Sequence, residues 1–209
     1  MSRPPRAPLI AIEGIDGTGK TTLQHALAKR WRDLGLGVVE LQEPSKGATG
    51  RRARRATSGD PWNSAMAFTE DRRRHRAQLE RILSNGKVAL SDRSFYSTLA
   101  YQGSALPARQ RSLLSRIQRR ATLVPDRVVL LTLPLKVSEA RLSRRGGLRA
   151  PTERLDVLRR AAREYRRLAR RGRWIVLDAR HSPDELVAKL HRRLTLWVLH
   201  QAAPPRRRA

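Results

Sequence analysis

Apolar residues fall along this chain in two alternating rhythms. Short runs rich in leucine or β-branched residues, Leu9 to Glu13, Gly37 to Gln42, Lys87 to Ser91, Arg127 to Leu133 and Trp174 to Asp178, are separated by longer amphipathic stretches. Parallel strands need long crossover connections, so the pattern predicts a five-stranded parallel sheet in a three-layer α/β fold. One helix is expected from Gly19 to Leu34, stopped by Gly35, and another from Pro61 to Asn85, with Asp60 as cap and proline at the first helical position. Ser182-Pro183-Asp184-Glu185 repeats that start signal. The last helix then runs from Pro183 toward Leu199, with Leu186, Val187, Leu190, Leu194 and Trp197 as its apolar stripe. Between Arg141 and Arg154 the rhythm is interrupted by Gly146-Gly147 and Pro151, which predicts a mobile segment.

A chain of 209 residues suffices for one well-buried domain, read here as residues 9–199, flanked by disordered basic tails at 1–8 and 200–209 where proline and arginine combine with nothing to bury. Charge changes the picture more. Lys plus Arg number 45 against 18 acidic residues, a net charge of +27 that attracts polyanions, nucleic acid included. The arginines lie mostly on polar faces of the expected helices, so a coding bias toward Arg explains most of the excess. Aromatic residues are only 4% of the chain, which leaves few stacking platforms for single strands. The absence of cysteine excludes disulfides, thiolate nucleophiles and zinc–cysteine sites. No apolar run approaches a membrane span, and LIAIEG is too brief for a signal-peptide core, so a cytoplasmic protein is expected.

Gly14-Ile15-Asp16-Gly17-Thr18-Gly19-Lys20-Thr21, followed by Thr22, is a complete P-loop pattern set between an expected strand and an expected helix. Glycines let the backbone curl so that its N–H groups face phosphate oxygens, and the helix adds its positive end. Lys20 is expected to reach the β- and γ-phosphates without packing against the core, and the Thr21 hydroxyl to ligate Mg²⁺. Strand three delivers Asp92 and Arg93 to its carboxyl end, where ligands gather in open parallel sheets. Asp92 suits the magnesium shell, and the planar fork of Arg93 suits a phosphate.

The segments GIDGTGKTT, Glu43-Pro44 followed by Gly50 and Arg54, AFTEDRRRH, DRSFYSTLAYQG and GGLRAPTERLD, in that order, resemble the thymidylate kinase family. The resemblance implies a P-loop nucleoside monophosphate kinase that uses ATP and Mg²⁺, accepts dTMP and forms a homodimer. It places Phe68 as the ring stacked on thymine and Arg72 as the arginine bonding the base, an i,i+4 pair on one helix face. Arg93 resembles the acceptor-phosphate clamp and Arg54 a second basic contact. Thr98 and Tyr101 fall where the family contacts base and sugar, Tyr101 crowding a ribose 2′-hydroxyl. Asp16 resembles the carboxylate facing the acceptor sugar and phosphate. It need not be a base, because a phosphate monoester with a second pKa of about 6 is already ionised at neutral pH. The P-loop has no arginine, so transition-state charge is expected from a lid at about 144–154 carrying Arg144, Arg145, Arg149 and Arg154, with Arg145 and Arg149 favoured.

The sequence departs from the family pattern at Gln42, Ser45-Lys46-Gly47, Ser94, Thr132 and the lid's Glu153-Arg154-Leu155-Asp156. Two rival readings follow from other features. Glu43 with Asp92-Arg93-Ser94 also resembles a deoxynucleoside kinase, in which Glu43 would be the base for a 5′-hydroxyl. The charge of +27 suits a basic P-loop protein acting on polynucleotide.

Overall fold

Strand β1 (Leu9–Glu13) is buried along its whole length, because helices cover both of its faces. The computed structural model describes residues 6–146, 151–172 and 174–202. Within them β2 (Val38–Gln42), β3 (Val88–Asp92), β4 (Arg127–Thr132) and β5 (Ile175–Asp178) join β1 in one sheet. Every pairing is parallel, and the order is β2-β3-β1-β4-β5.

Alternation along the strands sorts side chains to two faces. Ile10, Ile12, Val129 and Leu131 pack with Leu23, Leu27 and Trp31 of α1 (Lys20–Arg32) and with Leu186, Leu190 and Leu194 of α8 (Pro183–Ala202). Trp31 stays fully buried because its indole N–H donates to Thr195 Oγ1 at 3.0 Å. On the other face Leu9 and Ala89 meet Leu83 of α3 (Pro61–Ser84). Val128 meets Phe95 of α4 (Phe95–Tyr101) and Leu114 of α5 (Ala108–Ala121), while Leu130 meets Leu158 and Tyr165 of α7 (Leu155–Arg171). Two further helices, α2 (Ala48–Arg55) and α6 (Leu135–Arg144), follow the carboxyl ends of β2 and β4.

The strand expectations hold to within one residue at each end. Asp60 caps α3 as expected, accepting from the Asn63 N–H at 2.8 Å with Pro61 in the first position. The structure differs in three places. Arg141 to Arg144 belong to the end of α6 rather than to an irregular segment, and Pro151–Glu153 forms a 3₁₀ turn; 147–150 lie outside the described residues. Arg6 to Pro8 are fastened rather than tail-like, since the Ala7 N–H donates to the Leu83 carbonyl at 3.0 Å and Arg6 pairs with Asp126 at 3.0 Å. At the other end α8 runs on through His200 to Ala202; the remaining tail residues, 1–5 and 203–209, lie outside the described ones. Among the described residues no helix is long and apolar enough to cross a membrane.

Candidate active site

Gly14 leaves β1 at φ +147°, and a Cβ there would stand 2.6 Å from the Leu131 carbonyl oxygen, so only glycine lets the loop begin against β4. The loop then closes on itself. Thr18 Oγ1 donates to the Ile15 carbonyl at 2.8 Å and Lys20 Nζ to the same oxygen at 3.0 Å. From outside, α6 grips it: Ser138 Oγ donates to the Asp16 carbonyl at 2.7 Å and Arg141 Nη1 to the Gly17 carbonyl at 3.3 Å. Ile15 is part of the core, whereas Thr21 and Thr22 face solvent at the start of α1. Lys20 departs from expectation, for it is buried, 6% exposed, beneath the loop. Burial and then the charge of Arg93 lower its pKa, against the opposing pull of Asp16, Asp92 and Glu13. An anion arriving in the loop would favour the charged form.

β1 lies between β3 and β4, so the chain turns to opposite sides of the sheet there, and the crevice at the strands' carboxyl ends is the natural ligand site. Thr21 Oγ1 donates to Asp92 Oδ2 at 2.5 Å across that crevice. The other oxygen, Asp92 Oδ1, is buried and has no hydrogen-bond partner among the described residues. A hydroxyl beside an unsatisfied carboxylate oxygen fits a hard cation that keeps its waters and shares phosphate oxygens, as Mg²⁺ does. Among the described residues there is no cluster of three or more acidic, His or Cys side chains that could hold a metal by itself.

Arg93 follows Asp92 with φ +78°, a backbone conformation uncommon for any residue with a Cβ, which turns its side chain back over the P-loop. Its Nη2 donates to Asp16 and its Nη1 to Ser97 Oγ at 3.2 Å, while the guanidinium sits 5.1 Å from the Tyr101 ring centroid. Tyr101 donates its hydroxyl to the second Asp16 oxygen at 3.1 Å. Burial works against ionisation of Asp16, yet the charges of Arg93 and Lys20, the Tyr101 bond and the charge of Arg145 together hold its pKa below the usual value. Behind this trio stands Glu13, fully buried. It accepts from the Ser94 N–H and hydroxyl at 2.8 and 2.7 Å, from Ser97 at 2.7 Å and from Tyr165 at 2.8 Å. Nothing in the sequence pattern singled it out except an acid ending an otherwise apolar strand just before the loop.

On the far side of Arg93, α3 presents Phe68 and Arg72, with the guanidinium 5.9 Å from the half-buried Phe68 ring. Arg72 is buried and held from three directions, by Glu43 at Nε, by the Thr98 hydroxyl at 2.9 Å and by the Ser94 carbonyl at 3.0 Å. Asp71 turns the other way and accepts from the Ser45 N–H at 2.8 Å and from the Ser45 and Thr49 hydroxyls, each at 2.6 Å. Arg54 also serves this loop, its fork on the carbonyls of Pro44 and Ser45 at 3.0 and 2.9 Å, where the sequence had suggested a phosphate contact. In the lid, Arg145 pairs with Glu153, Arg154 lies near Asp156 at 3.3 Å, and Arg144 is exposed. Arg149 lies outside the described residues.

A glycine loop and lysine at the mouth of β1, a carboxylate at the end of β3, and a second pocket of ring and arginine beside them define a P-loop kinase. A family model described as thymidylate kinase matches residues 12–190. The chain is 34% identical to a Methanosarcina barkeri protein named "Probable thymidylate kinase", over 88% of this chain and 96% of that one. It is 33% identical to a Pyrobaculum aerophilum protein of the same name, over 86% and 92%. A Xanthomonas campestris protein named "Thymidylate kinase" is 35% identical over 88% of this chain and 81% of its own length. The chain belongs to the thymidylate kinase family.

Proposed function

We propose that this chain transfers the γ-phosphoryl group of ATP to dTMP, giving ADP and dTDP. The observation that carries the reading is the position of Asp16 and Arg93, joined to each other between the P-loop and the Phe68–Arg72 pocket. A nucleotide phosphate anchored at Arg93 would meet the γ-phosphate cradled beside Lys20. An acceptor phosphate oxygen then forms a bond to the γ-phosphorus as the bond to the β–γ bridging oxygen breaks. The acceptor is a dianion at neutral pH, so positioning and charge neutralisation suffice and Asp16 need not take a proton.

In this reading the loop residues Gly14 to Thr22 hold the ATP phosphates, and Thr21 and Asp92 hold Mg²⁺. Bound there, the ion neutralises charge on the β- and γ-phosphate oxygens. Phe68 stacks on the base, Arg72 and Thr98 meet its edge, and Tyr101 lies along the sugar. Arg145, whose charge is already felt at Asp16, and Arg149 supply the lid's positive charge. For Arg54 to reach the acceptor phosphate, its fork must leave the carbonyls of Pro44 and Ser45. The catalytic unit, expected over 9–199, also takes in the fastened Arg6 to Pro8 and the end of α8, with the lid at about 144–154. It works in the cytoplasm as a homodimer, and the charge of +27 gives it a non-specific attraction for nucleic acid.

The nucleoside-kinase alternative keeps one specific support: burial raises the pKa of Glu43, as a base would require, although its carboxylate is already engaged by Arg72. The test is incubation with ATP, Mg²⁺ and dTMP while both nucleotide products are followed. Equal formation of ADP and dTDP is expected; ADP formed without dTDP would remove dTMP as the acceptor.

A further inference from the structure

Arg72 places a positive charge in a buried position, its side chain 6% exposed, yet the base assigned to it is neutral. A bare guanidinium there would favour an anion over any base and could swing about its long side chain. We propose that Glu43 is a specificity-determining positioning residue, which cancels the charge of Arg72 and fixes the guanidinium so that it reads the base edge by hydrogen bonding alone. The proposal rests on the acceptor reading given above and extends it to a residue outside the assigned base contacts.

The geometry supports both halves of the idea. A guanidinium has five N–H donors. Among the described residues three of those on Arg72 are engaged, Nε by Glu43, Nη1 by Thr98 and Nη2 by the Ser94 carbonyl, which leaves one N–H on each Nη. Donors held on one rigid plane can discriminate carbonyl from amino edges, but only while that plane is pinned. Glu43 is itself fixed. Its N–H donates to the Asp92 carbonyl at 3.1 Å, and the residues after it are clamped by the Arg54 fork and by Asp71. Asp71, next to Arg72 in sequence, gives its oxygens to Ser45 and Thr49, so Glu43 is the carboxylate that neutralises Arg72.

The test compares the parent with Glu43→Gln, Glu43→Asp, Arg72→Ala and the double variant Glu43→Gln/Arg72→Ala. Glu40→Gln is the control, because it loses the same charge from β2, the strand that leads into Glu43, at a carboxylate that faces Arg32 and His25. For each, kcat and KM are measured with dTMP, dUMP and dCMP at saturating ATP, together with the KM for ATP and thermal stability. Glu43→Gln should lower the kcat/KM preference for dTMP over dCMP by about tenfold, mainly through acceptor KM, with ATP KM unchanged. Glu43→Asp, which keeps the charge, should recover part of that preference, and Glu40→Gln should keep all of it. The double variant should be no less selective than Arg72→Ala alone, since Glu43 acts through Arg72. Parental selectivity in a folded Glu43→Gln protein, additive losses in the double variant, or a loss confined to kcat would overturn the proposal. A parent enzyme that shows no preference for dTMP would instead overturn the acceptor assignment itself, which keeps the two failures apart. If Glu43→Gln did not fold, Glu43→Asp would decide: its shorter side chain should leave selectivity below the parent's, and selectivity equal to the parent's would count against the proposal.

Discussion

Lys20 sits where two demands meet, for it must be charged to hold phosphate and yet it is buried beneath the loop beside Arg93. Its one hydrogen bond among the described residues is to the Ile15 carbonyl, with the Asp16 carboxylate 3.9 Å away. Lys20→Ala should therefore cost the fold no more than about 1–2 kcal/mol, the value of one such bond. Phosphoryl transfer should fall by roughly a hundredfold or more, as when a preorganised charge contact to the reacting group is lost. Steady-state kinetics with a thermal melt would check this, and near-normal turnover in a folded variant would take the P-loop out of the mechanism. At the acceptor, Arg72→Ala and Phe68→Ala should part company. Loss of Arg72 should erode the choice between dTMP and dCMP more than it weakens binding, because a buried site selects by the cost of unpaired groups. Loss of the Phe68 ring should weaken every acceptor by about 1–3 kcal/mol, the scale of base stacking on an aromatic. Unchanged base preference in a folded Arg72→Ala protein would return that arginine to a structural role.

Two elements, the turn after β2 and helix α2, are fastened through Asp71 and by a close approach at Gly50. Burial opposes ionisation of Asp71, but the Ser45 and Thr49 bonds outweigh it and hold its pKa below the ordinary aspartate value. A depressed carboxylate contributes stability that is present above the unfolded pKa and is lost as pH falls through the folded one. Asp71→Asn should thus cost about 1–3 kcal/mol at pH 7 and flatten the loss of stability below about pH 4, seen in denaturation at several pH values. At Gly50 a Cβ would fall 1.8 Å from the Ser45 carbonyl oxygen, so Gly50→Ala must push the turn away from α2. It should destabilise by about 1–3 kcal/mol and raise the acceptor KM, and a fully stable variant with parental KM would separate this turn from the acceptor site. These elements also show what sequence could tell. The strands were legible because burial on both faces leaves continuous apolar runs, and α3 because Asp60-Pro61 marks its start. Helices α5 and α7 begin without side-chain caps and are crowded with arginine, which blurs their boundaries, and α4 is buried on every side and has no polar rhythm to read.

For the whole molecule, the site is a meeting of chain segments far apart in sequence. The loop, Asp92 and Arg93 were legible because each follows directly from a strand whose end they occupy. Glu13, Ser138 and Arg141 were not, since their meaning depends on partners brought near by the sheet order, as when Tyr165 of α7 reaches Glu13 of β1. The same order sets Asp16 and Arg93 between donor and acceptor pockets, and the central claim is that a phosphate occupies that gap. A nucleoside lacks the phosphate and would leave Arg93 with only its own neighbours Asp16, Ser97 and Tyr101, whereas its 5′-hydroxyl would need a base. The most direct measurement is kcat/KM for dTMP against that for thymidine, with ATP and Mg²⁺ saturating and the products identified. The account predicts turnover of dTMP to dTDP at least a hundredfold more efficient than any turnover of thymidine, in line with losing a charge-assisted anchor at the reacting group. Thymidine phosphorylated as well as or better than dTMP would contradict it and hand the chemistry to Glu43 as base.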